Sequence, residues 1–213
     1  MQYKLLKKIV LLLRKMSYKI VVARYNENLN WLLPVIDYCI IFNKGEPLHL
    51  KNEIMLKNVG RESETYLHYI IDNYDSLPDV VIFTQGNISD HRKTGYNHLE
   101  IMREEALQYG KSGCAYYKNI FFAIEPDFNL KMDVVPQNYG QYRCTFDFWF
   151  QSIFKIPFPE EFYIYWHGIF AVRKDLILKR PLQFYKELIK EVNYHVNPTE
   201  GHFFERSWFY IFF

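Results

Sequence analysis

A short apolar run, Asp79–Thr84, constrains the fold more than any other stretch of the 213-residue sequence. Its β-branched and aromatic residues lie between Pro78 and Gly86, which predicts a buried strand that ends abruptly at a turn. Polar residues follow at once, where open α/β sheets bind ligands. They are Gln85, Asn87, Asp90 and His91. The alternative is a turn that uses Gly86 and Asn87 only because both tolerate positive φ.

Two further apolar runs precede this one. Tyr18–Ala23 is apolar along almost its whole length, as expected for a strand covered on both faces, and Tyr38–Phe42 predicts the next strand. A helix at about 29–35 separates them, and helically spaced apolar residues from Tyr66 to Tyr74 predict a second helix. The resulting β-α-β-α-β order predicts a parallel sheet with right-handed crossovers.

The second half of the chain is less regular. Asn97 opens a helix with a capping-box pattern, and that helix ends at Gly110. Residues 113–159 read as short strands, such as 120–124 and 143–150, and loops rich in Tyr and Phe. Residues 163–172 predict one strand interrupted by Gly168. Pro181 is expected at the first position of a helix, and 198–208 as a loop leading into a terminal aromatic helix.

Composition excludes several classes of protein. The net charge of +2 provides no field for a nucleic-acid partner. Three widely spaced cysteines argue against a disulfide framework and a zinc cluster, and they fit a reducing, cytoplasmic location. Aromatic residues make up 19% of the chain, which indicates either stacking on sugar rings or bases, or only a compositional bias.

Residues 1–16 form a basic amphipathic extension before a single domain at 17–213. The apolar run in the extension is far shorter than the roughly 20 residues of a membrane span. It could still lie on an anionic membrane as a peripheral contact. The alternatives are a helix packed on the domain, or a working start at Met16.

Five segments resemble known sequences. VVARYNEN (21–28), GIFAVRKDLI (168–177) and HFFERSW (202–208) resemble motifs of GT-A glycosyltransferases. NVGRESETYLHYI (58–70) and DVVIFTQGN (79–87) resemble a subgroup classified only as a domain of unknown function. The resemblance covers about 18–212. It implies a single-domain α/β, GT-A-like (Rossmann-like) fold with a mostly parallel sheet, flanking helices and an irregular aromatic-rich acceptor side.

This resemblance also implies a function. The expected enzyme moves a sugar from a nucleotide-diphosphate sugar to a hydroxyl of a glycan or glycoconjugate, with Glu205 as catalytic base. Asp133, Asp147 and Asp175 are alternative bases, and Glu205 could instead pair with Arg206 or Arg173. The expected acceptor contacts are Trp166 and His167. The expected donor contacts are Arg24, Tyr25, Asn26, Glu27, Gly60, Arg61, Gln85, Asn87 and Arg173.

One departure from the family concerns the metal. Where most GT-A enzymes carry Asp-x-Asp, this chain has Gln85-Gly86-Asn87. Amides bind a divalent cation weakly, so Mn²⁺ or Mg²⁺ at Asn87 would be held weakly unless Asp90, His91 or His202 joined in. Alternatively Arg24, Arg61 or Arg173 neutralises the diphosphate, because a guanidinium group matches phosphate geometry.

Two other functions remain open on the sequence. The scaffold could be a non-catalytic module that binds a sugar or nucleotide. The third reading is a metal-dependent phosphohydrolase that uses Asp90, His91 and His202, although two-metal sites usually contain several carboxylates.

Overall fold

The computed structural model describes residues 16–89, 95–117 and 144–213. Several predictions lie outside these described residues. They are the extension at 1–15, the polar residues Asp90 and His91, the strand at 120–124 and the alternative base Asp133.

Eight strands form two sheets in the described residues. In chain order they are β1 (Tyr18–Arg24), β2 (Cys39–Asn43), β3 (Glu53–Met55), β4 (Val80–Gln85), β5 (Lys111–Ser112), β6 (Ala115–Tyr117), β7 (Phe162–Ile164) and β8 (Phe170–Arg173). The larger sheet has the order β3-β2-β1-β4-β8-β5, and β6 pairs with β7 in the smaller one. Strands β1 to β4 are mutually parallel, whereas β8 is antiparallel to both β4 and β5.

Six α-helices occur in the same residues. They are α1 (Arg61–Asp72), α2 (Tyr96–Tyr109), α3 (Phe146–Phe154), α4 (Lys174–Ile177), α5 (Leu182–Leu188) and α6 (Glu200–Phe212). A 3₁₀ helix at Asn30–Tyr38 joins β1 to β2, and shorter ones lie at Tyr74–Ser76, Trp166–Gly168 and Ile189–Glu191. Each of these helices is too short or too polar to cross a lipid bilayer, as far as the described residues extend.

The core forms because β4 is covered on both faces. Its residues Val80 to Phe83 are fully buried, as the unbroken apolar run predicts. Tyr66 of α1 packs on Phe83 with ring centroids 4.8 Å apart, and Trp208 of α6 packs on Phe170 at 5.4 Å. These aromatic contacts fix both helices against the sheet, beside the carboxyl end of β4.

The fold is therefore α/β in a single sheet-centred domain, as predicted, but its main sheet is mixed. The predicted single strand at 163–172 is two strands, β7 and β8, which lie in different sheets on either side of the Trp166–Gly168 turn. Residues 111–117 run antiparallel to β8 and then to β7, so the chain keeps its direction across this turn, and β8 lies antiparallel to β4.

Other local predictions were wrong for physical reasons. The strand expected at 143–150 is largely α3, since Phe146, Trp149 and Phe150 share one buried helical face. Most of the loop expected at 198–208 is α6, because Phe204, Trp208 and Ile211 also repeat at helical spacing. Helix α2 does end at Gly110, but it begins at Tyr96, without the capping hydrogen bond expected from Asn97. Pro181 precedes α5 rather than opening it.

Candidate functional site

A cleft lies at the carboxyl ends of β1 and β4, where Ala23 is paired with Gln85. Its volume is about 230 Å³, and its walls include Arg61 and Glu62 of α1. Small-molecule sites commonly occupy about 300–1,000 Å³. The cleft that the described residues enclose therefore fits one sugar ring or one phosphate group better than a whole nucleotide sugar.

Arg24 forms one side of the cleft and is almost wholly buried. Its guanidinium donates to the Asn43 side chain at 2.7 Å and to the carbonyl oxygens of Glu46 at 2.9 Å, Glu27 at 3.0 Å and Tyr25 at 3.1 Å. A guanidinium has five N–H donors, so these bonds engage most of its capacity. Arg24 thus holds the loop after β1 in place, and its predicted contact with a donor remains a prediction.

The rest of that loop is also bound to its surroundings. Asn26 accepts a hydrogen bond from the Glu46 backbone at 2.9 Å, and the Glu27 carboxylate accepts one from the Tyr25 backbone at 2.7 Å. The Glu27 carboxylate also lies against Gly86, where an added Cβ would come within 2.7 Å of it. Gly86 is therefore required for close packing between this loop and the turn after β4. The side chain of Tyr25 is half exposed beside the cleft.

Lys44 is not among the residues predicted from the sequence, yet it lies in the wall of the cleft. It is buried, pairs with Glu64 at 2.7 Å, and donates to the carbonyl oxygens of Val59 at 2.5 Å and Arg61 at 2.6 Å. Burial lowers the pKa of Lys44, and the Glu64 carboxylate opposes that shift. The ammonium group thus fixes the backbone on both sides of Gly60. Gly60 and Arg61 both have positive φ, of 66° and 50°.

Gly60 is needed at this junction between the loop and α1. An added Cβ would lie 2.4 Å from the Cβ of Glu64 and 2.9 Å from the Val192 carbonyl oxygen. Arg61 has a side chain, so its left-handed backbone is strained, and such strain is typical of functional sites. The predicted pair of Gly60 and Arg61 therefore lies at the cleft, with Arg61 in its wall.

The Arg61 guanidinium faces His202 and Asn197. Its Nη1 lies 3.3 Å from the Asn197 side-chain oxygen and 3.3 Å from His202 Nε2. Burial, together with the charges of Arg61 and Arg206, lowers the pKa of His202 to about 3. His202 is therefore neutral at physiological pH, and Nε2 accepts from Arg61.

This arrangement does not fit the predicted metal site. A cation at His202 would have to displace the Arg61 guanidinium, and the Asn87 side-chain oxygen already accepts from the Ser89 backbone at 2.9 Å. Within residues 16–89, 95–117 and 144–213 no group of three or more His, Cys, Asp or Glu is placed to hold a metal ion. Asp90, the remaining predicted ligand, lies outside the described residues.

Glu205 and Gln85 meet at one residue, His167. One carboxylate oxygen of Glu205 accepts from the His167 backbone N–H, and the Gln85 amide donates to the His167 carbonyl oxygen at 2.7 Å. The other oxygen of Glu205 lies 3.4 Å from Arg206. His167 has a φ of 63°, a second left-handed non-glycine residue at this edge. Helix α6 therefore brings the predicted base beside the end of β4.

Two neighbours complete this part of the site. The Arg206 guanidinium lies 5.3 Å from the centre of the Trp166 ring, which is half-buried. Glu62 of α1 is not among the site residues predicted from the sequence, although it directly follows the predicted residue Arg61. Its carboxylate lies 3.6 Å from Arg61 Nε, and its Cγ would be 3.1 Å from a Cβ added to Gly168.

Arg173 lies apart from the cleft that other predicted donor contacts line. Because β8 is antiparallel to β4, Arg173 pairs with Val80 at the start of β4, at the edge opposite the cleft. There its guanidinium binds Asp175 through two hydrogen bonds of 2.6 and 2.8 Å. The structure therefore places Arg173 and the alternative base Asp175 away from the cleft, and their predicted roles stay predictions. Asp147 lies in the first turn of α3.

Fold and site together define an α/β protein with a charged cleft at the carboxyl edge of a mixed sheet. The chain belongs to the family described as "Protein of unknown function (DUF3431)", whose model matches residues 20–213. No curated protein and no solved structure matches the chain.

Proposed function

We propose that this protein is a glycosyltransferase that moves a sugar from a nucleotide-diphosphate sugar to a hydroxyl group of a glycan or glycoconjugate. One observation carries the proposal. Glu205 and Gln85 hold the same turn at the carboxyl edge of the sheet, beside a cleft whose wall contains Arg61. Ligands of open α/β sheets bind at this edge.

In the proposed reaction Glu205 takes the proton of the acceptor hydroxyl. The acceptor oxygen forms a bond to the sugar, and the bond between the sugar and the diphosphate breaks. The electron pair of that bond leaves on the diphosphate, whose negative charge Arg61 stabilises. The His167 backbone N–H holds one oxygen of Glu205 in place, and Arg206 lies beside the second oxygen.

No step of this reaction runs through a metal ion. The described residues do not fit Mn²⁺ or Mg²⁺, because the Arg61 guanidinium faces Nε2 of His202 and the Ser89 backbone donates to the Asn87 oxygen. Arg61 is the cationic group that the cleft offers to a diphosphate. Trp166 and the His167 side chain are proposed to contact the acceptor, since both belong to the turn that Glu205 holds.

The experiment is a screen of nucleotide-diphosphate sugars for nucleotide release, with and without Mn²⁺. Transferases normally release nucleotide slowly from the donor in the absence of acceptor. We expect release from one class of donor, and we expect Glu205→Gln to reduce it by about 100-fold or more. Gln still accepts the His167 hydrogen bond, so the fold should persist. Undiminished release by Glu205→Gln would contradict the assignment of the base.

A non-catalytic sugar- or nucleotide-binding module is the second candidate. It is favoured by the internal hydrogen bonds that engage Arg24, Asn26 and Glu27, which leave fewer groups for a donor. A nucleoside diphosphate that raises the melting temperature while no donor releases nucleotide would favour the module, since any ligand of the native state stabilises it.

A further inference from the structure

Glu62 lies in the first turn of α1 and forms part of the cleft wall. Its position is fixed by close packing against Gly168, where an added Cβ would lie 3.1 Å from Glu62 Cγ and 3.7 Å from Glu62 Oε1. The carboxyl group thus reaches the Trp166–Gly168 turn from the side of α1.

Glu205 reaches the same turn from α6, since it accepts from the backbone N–H of His167. Two carboxyl groups from two helices therefore border two consecutive residues, His167 and Gly168. Both residues have left-handed backbones, with φ of 63° and 62°. Glycine adopts this conformation freely, so the strain in this turn lies at His167, and such strain occurs often at functional sites.

Charged groups around Glu62 act on its carboxyl group in opposite directions. Arg61 and Lys44 favour its ionised form, whereas Glu205 opposes it, and the buried Tyr66 hydroxyl is close enough to interact with it. Lys44 is already paired with Glu64 at 2.7 Å, and Arg61 also contacts His202. Burial is the largest influence and raises the pKa of Glu62, to which the Glu205 charge adds.

We propose that Glu62 is a second carboxyl group of the active site, which binds a hydroxyl group of the transferred sugar from the cleft wall. The inference rests on the proposed function, because it names how the same cleft recognises a sugar. A protonated carboxyl both donates and accepts hydrogen bonds, as a sugar hydroxyl requires. An ionised pair would only accept. The cleft of about 230 Å³ fits one such ring.

The first test measures proton binding without any donor. Isotope-labelled glutamate carboxyl groups are titrated by NMR, and Glu62 is assigned by the loss of its signal in Glu62→Gln. We expect Glu62 to titrate above the ordinary glutamate range and to move down in Glu205→Gln. An ordinary titration that Glu205→Gln leaves unchanged would overturn the proposal.

The second test measures recognition. With the donor that the wild type uses, we expect Glu62→Ala to raise KM about tenfold and Glu62→Gln to raise it less, because the amide keeps both hydrogen-bonding roles. Loss of rate at high pH in the wild type should disappear in Glu62→Gln. Asp72→Asn, on the exposed end of the same helix, is the matched control. An unchanged KM in Glu62→Ala would overturn the inference.

Failure of the proposed function is recognised separately. If the wild type releases no nucleotide, a panel of free monosaccharides is added to the labelled protein at high concentration. A shift of the Glu62 signal by one of them supports sugar binding at Glu62, and no shift by any of them overturns it.

Discussion

The two ends of the central sheet carry the same types of charged residue in different arrangements. At the amino end of β4, Lys174 binds Asp79 at 2.6 Å and Arg173 binds Asp175 at 2.6 Å, so each of these cations has its own carboxylate. At the cleft end, Arg61 lies 3.6 Å from Glu62 and Arg206 lies 3.4 Å from Glu205, and these looser pairs also have neighbours of like charge. Arg61 and Arg206 both act on His202, and Glu62 and Glu205 border one turn.

The two ends of the sheet also differ in how far their charged side chains are exposed to solvent. The side chains of Lys174 and Asp175 are 45% and 54% exposed, whereas those of Lys44 and Glu64 below the cleft are 5% and 9% exposed. Exposed pairs contribute little to stability, and breaking a buried pair leaves an uncompensated charge. The amino end therefore tolerates change, while the cleft end depends on buried charges that keep their partners.

The backbone follows the same division. Four non-glycine residues of the described part have positive φ, and two of them, Arg61 and His167, lie at the cleft. Such conformations cost on the order of 1–3 kcal/mol each. The cleft end thus combines backbone strain with looser ion pairs, whereas the amino end has short and more exposed ones.

The largest expected effect separates the buried cation from the exposed one. Lys44→Met should lower the free energy of unfolding by about 3–5 kcal/mol, because Glu64 and two carbonyl oxygens lose their partner. Lys174→Met, at the amino end, should cost less than about 1 kcal/mol. Urea unfolding measures both, and the double variant Lys44→Met with Glu64→Leu should recover part of the loss. Equal costs for the two single lysine variants would contradict the comparison.

The next largest expected effect is on ligand binding, and it compares Arg61 with Arg173. Arg61→Ala should weaken binding of a nucleoside diphosphate by about 10- to 100-fold, since it removes the cation in the cleft wall. Arg173→Ala should leave binding within about twofold, because Arg173 lies at the other end of the sheet. Calorimetric titration of both variants with the same nucleotide is the measurement. A loss confined to Arg173→Ala would show that the cleft is at the wrong end.

A third prediction concerns how the free energy of unfolding changes with pH in the acid range. His202 has a pKa of about 3 in the fold against 6.5 when unfolded, so the unfolded chain binds more protons between these values and stability rises with pH across them. Asp79, at the amino end, has a lowered pKa and contributes the same sign only near and below its ordinary value of 3.8. His202→Gln should therefore flatten the stability profile between pH 4.5 and 6.5 by on the order of 2 kcal/mol. Asp79→Asn should not, and a profile unchanged by His202→Gln would refute this account of His202.

The smallest expected effect is the pH dependence of stability at one carboxyl group from each end of the sheet, and its sign differs between the two. Glu62 has a raised pKa, so the native state binds more protons and wild-type stability falls as pH rises above 4.5. Glu62→Gln should thus gain stability relative to the wild type as the pH rises. Asp175 has a lowered pKa because Arg173 hydrogen-bonds it, so Asp175→Asn should lose stability instead. Melting temperatures over the pH range test both signs, and a common sign would contradict the contrast.

Local pattern predicted much of the scaffold. Strands β1, β2 and β4 and helix α1 lie within a few residues of their expected positions, because unbroken apolar runs and helical spacing are properties of short windows. The direction of β8 is not such a property. It depends on the long-range pairing of β8 with β4, and without that pairing Arg173 cannot be assigned to an edge.

The site was predicted in part for a similar reason. Glu205, Gln85 and Arg61 follow from strand ends and motif order, and the fold brings them to one edge. Lys44 was missed because a lysine in an Asn-Lys-Gly turn normally faces water, and only tertiary packing shows that it is buried. Glu62 was missed because an acidic residue in a first helical turn is common without any further role.

The most direct test of the central claim compares one carboxylate from each end of the sheet. Glu205→Gln and Asp175→Asn are assayed for nucleotide release from the donor that the wild type uses. The account predicts a loss of about 100-fold or more for Glu205→Gln and a change within about twofold for Asp175→Asn. Equal rates for wild type and Glu205→Gln, or a loss confined to Asp175→Asn, would contradict it.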